Sequence, residues 1–379
     1  MRCALSDFQH IRPHHEMEQE KSLDWIAEAH AKAAERFENR ENGSFKGEIR
    51  EKLTRLGLGK ERIQNRGLMI SDLLEEDWSK MEIYPVMENP HGHGFARRSQ
   101  FFDREVSKIF EQFYPEETTL PDHLIHVTCT GYVAPSPAQK LVSLRRAGET
   151  TTVTHAYHMG CYGAISAIRI GAGYTSFPSP SPSPIEIVHT EVCSLHMHPL
   201  CHRSEQLLVE SLFADGFIKY ALSSQKEGRL HLKVLALSEE TIPESTQSMT
   251  WQCEDHGLSM TLARDVPVLI ARAIKGYLER LCAKAGLDSE KAIKEAFFAV
   301  HPGGPKVLQQ IKDLLKLEPY QLEYSEYVLK HFGNMSSATL PHIWERMLAT
   351  SNVPSGALIV GLAFGPGLNI AGGLFKKGI

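Results

Sequence analysis

A cysteine stands at position 161 in the run THAYHMGCYGAISAIRI, residues 154–170. It marks the joint between a β-branched, aromatic, imidazole-bearing segment and a small, apolar, helix-compatible one. If the second segment is a helix, the sulfur sits at its first turn. There the free N–H groups and the positive helix end favour a thiolate. Gly160 and Gly163 let the chain turn sharply and let a substrate approach. The competing reading is a small buried hydrophobe. The other six cysteines (Cys3, Cys129, Cys193, Cys201, Cys253, Cys282) are scattered without a CxxC pair, as reduced packing thiols are. A nucleophile needs a partner. FFAVHPGGPKVLQQI places His301 at the end of a short apolar strand, before two glycines, a proline and a new helix. HFGNMSSATLPHIW places Asn334 just ahead of a helix begun by Ser336 and Ser337. Asn and Ser are common helix caps. As a neutral donor beside His301, the amide could instead hold a developing oxyanion, an effect of about 3 kcal/mol per donor.

Other clusters read differently. In LHMHPLCHRS, His196, His198, Cys201 and His202 are zinc-ligand types within seven positions. Yet His196 and His198 lie at strand spacing beside Pro199, and no second cluster completes a site. The reading is a loop or edge with neutral imidazoles and no metal. HGHG at 91–94 reads as a flexible loop. GAGYTS at 171–176 lacks the following helix of a dinucleotide fingerprint. GLAFGPGLNIAGG at 361–373 follows an apolar strand, and its glycines allow close backbone approach.

The elements that must position these groups follow from periodicity. Residues 16–40 read as an amphipathic helix with Trp25, Ile26 and Ala29 on one face, and 47–57 as a second, stopped by Gly57. Residues 98–114 make a third, and 123–130 a strand ended by Gly131 and Pro135/Pro137. The helix after Cys161 leads into the Ser-Pro run 176–184, read as an extended solvated connector. A strand follows at 185–195, a helix at 205–216, a polar loop at 223–229 and a strand from 230. Helices come next at 267–286, 287–296, 305–317 and 336–349, with strands at 297–301 and 356–365. Strands alternating with helices imply an α/β fold. Each half shows the same order of helix, strand, Gly-containing turn and helix. The expected division is therefore an N-terminal half, 1–225, carrying the cysteine, and a C-terminal half, 226–379, carrying the histidine and asparagine.

The chain has 379 residues, 42% hydrophobic and 23% charged, with a formal net charge of −5. That length can bury a large core. The charge and the lack of a Lys/Arg block argue against nucleic acid. The apolar runs are too short to span a membrane, for which about 18 residues are needed. The first residues, MRCALSDFQHIRPHH, lack the apolar stretch of a secretion signal, so the expected location is the cytoplasm.

Taken together, HMGCYGA, VHPGGPKVL, FGNMSSATL and AFGPGL resemble the type III polyketide synthases, the chalcone synthase-like branch of the thiolase superfamily. HLIHVTCTGYVAP, SLFADG and ARDVP strengthen the resemblance, which covers most of the chain from about residue 98. It implies a five-layer αβαβα thiolase-like fold in a homodimer. In the family the cysteine takes an acyl group from a coenzyme A thioester. The histidine keeps the thiolate charged and, with the asparagine, promotes decarboxylation of malonyl-CoA. The carbanion then attacks the acyl-cysteine, and the cycle can repeat before cyclisation. On that pattern Cys161, His301 and Asn334 are catalytic, with His301 as an imidazolium, and no metal or redox cofactor is needed.

The resemblance also assigns substrate contacts. Phe213 matches a gating phenylalanine, and Met260 stands where plant enzymes carry a second phenylalanine. His196 matches a cavity position, and Ala134 a residue that reaches into the partner's cavity. Gly365, Pro366 and Gly367 belong to the family's Gly-Pro-Gly segment. Small Ala134 with flexible Met260 would widen the pocket for a fatty or extended starter. Lys52 and Arg55 match positions that meet coenzyme A phosphates. Lys306 starts a helix, a reasonable phosphate seat. Residues 75–97 are insert-like and could alter the entrance. The alternatives are a single-condensation 3-oxoacyl-carrier protein synthase, against which HPGGP argues, and a non-catalytic scaffold, against which the intact Cys-His-Asn set argues.

Overall fold

The structure is a computed structural model and describes residues 3–56, 58–175, 184–224 and 228–379. The Gly57 stop, the Ser-Pro run over 176–183 and the centre of the 223–229 loop lie outside the described residues. The strands in chain order are β1 (Cys3–Ile11), β2 (His15–Glu18), β3 (Asn65–Leu68), β4 (His123–Thr128), β5 (Thr152–Tyr157), β6 (Ile185–Glu191) and β7 (Gly216–Ser224). They continue with β8 (His231–Thr241), β9 (Met249–Glu254), β10 (Gly257–Leu262), β11 (Phe297–Val300), β12 (Leu358–Gly365) and β13 (Asn369–Gly378). The helices are α1 (Gln19–Glu38), α2 (Asn42–Arg55), α3 (Phe95–Phe113), α4 (Pro137–Leu144), α5 (Gly163–Tyr174) and α6 (Ser204–Leu212). The later ones are α7 (Val266–Lys284), α8 (Ser289–Glu295), α9 (Pro305–Leu315), α10 (Pro319–Phe332) and α11 (Thr339–Ala349).

Nine strands form one mixed sheet in the order β11-β12-β13-β8-β1-β7-β6-β4-β5. The N-terminal strands β1, β7, β6, β4 and β5 and the C-terminal strands β8, β13, β12 and β11 join where β1 meets β8, through Ala4–Lys233 and Leu5–Leu232. The sheet therefore runs unbroken across the boundary placed near 223–229.

Successive strand residues point into different cores, because the side-chain period of a strand is two. Leu124 packs with α1–α3 while Ile125 packs with α5. Phe298 and Val360 pack with α7, α9 and α10, while Ala299 and Ile359 pack with α11. The layers are thus outer helices, N-terminal strands, the central pair α5 and α11, C-terminal strands and outer helices. This is the five-layer arrangement expected. Strands covered on both faces are apolar throughout, which is why the sequence shows them as runs rather than alternations.

Some boundaries differ from expectation. Residues 16–18 pair with β3 rather than entering the first helix. The strand from 185 ends at Glu191. The helix from 204 ends at Leu212, because the Asn334 backbone bonds Leu212 O and Ala214 N and pairs with Phe213. Periodicity alone does not reveal β1, α4, α10 or the β9–β10 hairpin. The 75–97 segment is docked: Trp78 stacks on Trp25 at 5.2 Å, and Ile83, Tyr84 and Val86 are buried.

Candidate active site

The chain leaves β5 and bends at Gly160, whose φ of 68° suits glycine. A Cβ there would lie 2.5 Å from Pro366 Cδ, so the 365–367 segment can close over the turn only because the side chain is absent. Cys161 follows in a tight turn, Gly160–Tyr162, that feeds α5. Its sulfur is buried, 3.8 Å from Ser336 Oγ. Ser336 Oγ in turn lies 2.7 Å from Cys129 Sγ. Beneath them the buried Glu191 accepts from the Cys129 and Thr130 side chains and from Ser337 Oγ. This polar floor fixes the 334–338 segment under the nucleophile.

His301 ends β11. Its N–H donates to Leu362 O at 2.7 Å, and its carbonyl accepts from Gly303 N at 3.0 Å. The imidazole is fully buried, yet neither ring nitrogen has a partner among the described residues. Buried polar atoms are normally satisfied, and leaving one unpaired costs about 1–3 kcal/mol. The ring is therefore set for a group that is not part of the chain. Asn334 is tied by its N–H to Leu212 O (3.1 Å) and by its carbonyl to Ala214 N (2.8 Å). The same bridge places Phe213 beside it. Asn334 Oδ1 accepts from Ser336 N at 2.9 Å, which turns Nδ2 toward the open space.

Cys161, His301 and Asn334 line one cavity of about 760 Å³. Phe213, Met260 and further aliphatic side chains form its walls, and the exposed Arg55, Arg62, Arg264 and Lys306 line its solvent side. Behind the sulfur lies a chamber of about 40 Å³ bounded by His196, Trp251, Pro366, Ser336 and Cys193. Cys161, Phe213 and Met260 border both spaces. The thiol thus sits at a neck between a wide cation-rimmed cavity and a narrow apolar chamber.

Several expectations need correction. Met260 borders both spaces, and the narrow chamber has a further wall that the sequence reading does not include. Trp251, opposite Met260 in the β9–β10 register, donates its indole N–H to Cys129 O at 2.6 Å and stands edge-on to His196. Ala134 is exposed and lines neither space of its own chain, which leaves its expected place at a partner's cavity untouched. Of the 365–367 segment, only Pro366 borders the sulfur chamber. Gly365 serves packing, since a Cβ there would meet Tyr162 at 2.5 Å. Lys52 does not line the cavity. Its charge acts on His202, whose imidazole is lowered to about 4 by burial first, then by His30, Arg40 and, to a lesser degree, Lys52. Nor is His301 an imidazolium in the ligand-free chain: burial lowers its pKa to about 3. Burial likewise raises the Cys161 thiol to about 12, with the Ser336 hydrogen bond opposing and the Glu191 carboxylate adding. Both groups are neutral until a substrate changes their surroundings.

Sequence reasoning missed Trp251, Arg62 and the Glu191–Ser336–Ser337 floor. Arg62 stands in the plain loop GKERIQ, which carries no signal. Ser336 and Ser337 were visible only as cap candidates.

Compared with known proteins, residues 233–378 match the family described as chalcone and stilbene synthases, C-terminal domain. A probable polyketide synthase 1 of Dictyostelium discoideum is 30% identical over 261 residues, 67% of this chain but 8% of that much longer protein. A putative chalcone synthase of Bacillus subtilis (strain 168) is 24% identical over 312 residues, 77% of this chain and 83% of the relative. The C-terminal type III polyketide synthase domain of the Dictyostelium hybrid 'Steely1' superposes with a TM-score of 0.82 over 100% of both chains, at 24% identity. The chain belongs to the type III polyketide synthase family. The chain has that family's thiolase-like fold. In it the two central helices, α5 and α11, follow the turns that carry Cys161 and the Asn334–Ser337 segment. The relatives are polyketide synthases, a class of acyltransferases. No helix among the described residues is long and apolar enough to cross a membrane.

Proposed function

We propose that this type III polyketide synthase family member transfers an acyl group from an acyl-CoA starter to Cys161 and extends it with malonyl-CoA. The observation that carries the reading is the convergence of Cys161, His301 and Asn334 on one apolar, cation-rimmed cavity. The cavity is large enough for a thioester arm and a growing chain. In the loading step the Cys161 sulfur bonds the acyl carbon and the bond to the coenzyme A sulfur breaks. The thiol proton passes through neutral His301 to the departing sulfur. Malonyl-CoA then loses carbon dioxide. Asn334 Nδ2 and a His301 N–H stabilise the enolate oxygen, and the enolate carbon displaces the Cys161 thiolate from the acyl group. Repetition and ring closure would give a pyrone, resorcinol or related product. The reading extends to a cytoplasmic homodimer in which exposed Ala134 faces the partner. No metal or redox cofactor enters the steps.

The test is a panel of acyl-CoA starters with malonyl-CoA, with products read by mass spectrometry. Chain-extended products that vanish in Cys161→Ser support the proposal. Extension from malonyl-carrier protein but not malonyl-CoA would favour the single-condensation alternative. Unchanged product formation by Cys161→Ser would overturn the assignment of the nucleophile.

A further inference from the structure

We propose that His91, His198 and His256 form a binding site for a divalent transition metal, zinc by preference, that fastens the β9–β10 hairpin to the body of the chain. The three residues are far apart in sequence. His91 lies in the insert-like 75–97 segment, His198 in LHMHPLCHRS, and His256 at the hairpin turn. Folding brings one ring nitrogen of each within 4.8 Å of the others. The ring centroids of His198 and His256 are 4.0 Å apart, and those of His91 and His198 are 4.8 Å apart. Zinc–nitrogen bonds of about 2.0–2.1 Å in a tetrahedron separate two ligand nitrogens by about 3.3 Å. His91 Nδ1 and His198 Nε2 lie 2.8 Å apart. Small side-chain rotations reach the required spacing.

The scaffold holds all three segments in place. Fully buried Arg98 donates to the carbonyls of His91 (2.6 Å) and His93 (2.7 Å) and to those of Leu195 and Met197 (3.1 Å). One guanidinium thereby fixes the segments bearing two of the histidines. The hairpin is joined to them by Phe95 N–H to Asp255 O at 2.9 Å and by Leu258 N–H to His196 Nδ1 at 3.1 Å.

The ring chemistry suits a cation of this class. A neutral imidazole keeps a lone pair on one ring nitrogen for a metal. Imidazole is the ligand that zinc, copper, iron and nickel share. His91 and His198 can satisfy one another with a single hydrogen bond, but the His256 ring makes none among the described residues. Glu254 Oε2 lies 3.5 Å from His256 Nδ1, and a slightly closer approach would let the carboxylate accept from Nδ1–H and leave Nε2 to the metal. The fourth position falls to water. The four candidate ligands within LHMHPLCHRS do not form this site together. Both nitrogens of His196 are engaged, by Thr130 O and Leu258 N, and His202 Nδ1 meets His30. His198 alone joins a cluster, with partners that the sequence holds 107 and 58 positions away.

The site's consequence is positional. The hairpin carries Trp251 and Met260, which border the chamber behind Cys161. A metal at its turn would hold that wall still, whatever acyl group the enzyme uses.

The test uses the full chain, stripped with a chelator and titrated separately with Zn²⁺ and Co²⁺. The expected result is one metal per chain with a Kd of about 1 µM or tighter, and cobalt bands of a low-coordinate nitrogen site. His91→Gln and His256→Gln should each weaken binding by about tenfold or more, while exposed His14→Gln leaves it unchanged. Hydrogen exchange over residues 249–262 should slow when zinc is added. The absence of saturable binding at about 100-fold higher concentrations than that Kd, undiminished binding by His256→Gln, or a cobalt–thiolate charge-transfer band would each overturn the proposal. If one variant fails to fold, the wild-type cobalt spectrum and the remaining variant decide.

Discussion

The buried imidazoles should make this protein acid-labile, and His301 should carry an identifiable share of that lability. His189, His196 and His301 are lowered to about 3, and His342 to about 4, in each case by burial first. An unfolded histidine titrates near 6.5. Because the folded pKa values lie below the unfolded value, the unfolded chain binds more protons, so stability is present above pH 6.5 and is lost as pH falls. Between pH 8 and pH 5 each group costs about 2 kcal/mol, or about 8 kcal/mol for the four. Asp215 acts in the opposite sense. Burial raises it to about 6, so its contribution is present at low pH and lost as pH rises through 6. It returns about 1 kcal/mol over the same interval. For these five groups the net loss is about 7 kcal/mol, comparable with the whole stability of a typical domain, about 5–15 kcal/mol. Urea unfolding at constant ionic strength, measured from pH 8 to pH 5, should show this fall. His301→Gln should remove about 2 kcal/mol of it, since that ring has no hydrogen bond to lose. A urea midpoint that stays level over the interval, or an unchanged pH slope in His301→Gln, would refute the reasoning.

Two further predictions concern the neck at Cys161 and the rim. Trp251→Ala should enlarge the 40 Å³ chamber by on the order of 100 Å³, at a cost of about 1–2 kcal/mol for a half-buried side chain. In a starter panel it should raise kcat/KM for long-chain acyl-CoA relative to short-chain by about fivefold or more; an unaltered profile would remove Trp251 from the specificity wall. Arg62→Ala and Arg264→Ala should each raise KM for coenzyme A thioesters about two- to fivefold with kcat unchanged, the effect of one solvent-screened charge. Lys52→Ala should leave KM alone, and a KM that rises equally for a thioester lacking phosphates would count against a phosphate rim.

The three reactive side chains were legible because each stands in a short local pattern: Cys161 between strand-like and helix-like runs, His301 before GGP, and Asn334 before paired serines. Such joints are local chemistry, and local chemistry is what a linear sequence records. The alternation of strands and helices was legible for the same reason, since apolar periodicity reports which face of an element is buried. The β9–β10 hairpin was not. WQCEDHGLSM is mixed and half-exposed, and its role comes from docking against Phe95, Cys129 and His196.

What the sequence by itself determined is the identity of the groups and the elements that end at them. Tertiary structure decided which groups share a space. It placed Trp251 behind the sulfur, set Arg62 and Arg264 at the rim in addition to Arg55 and Lys306, and turned Lys52 away. It also decided charge. With no carboxylate against the ring among the described residues, burial leaves His301 neutral, and burial leaves Cys161 protonated. The physical reason is common to all of these. Solvation, cavity shape and contacts between distant segments depend on three-dimensional distance, and a one-dimensional spacing fixes that distance only within a single strand, turn or helix.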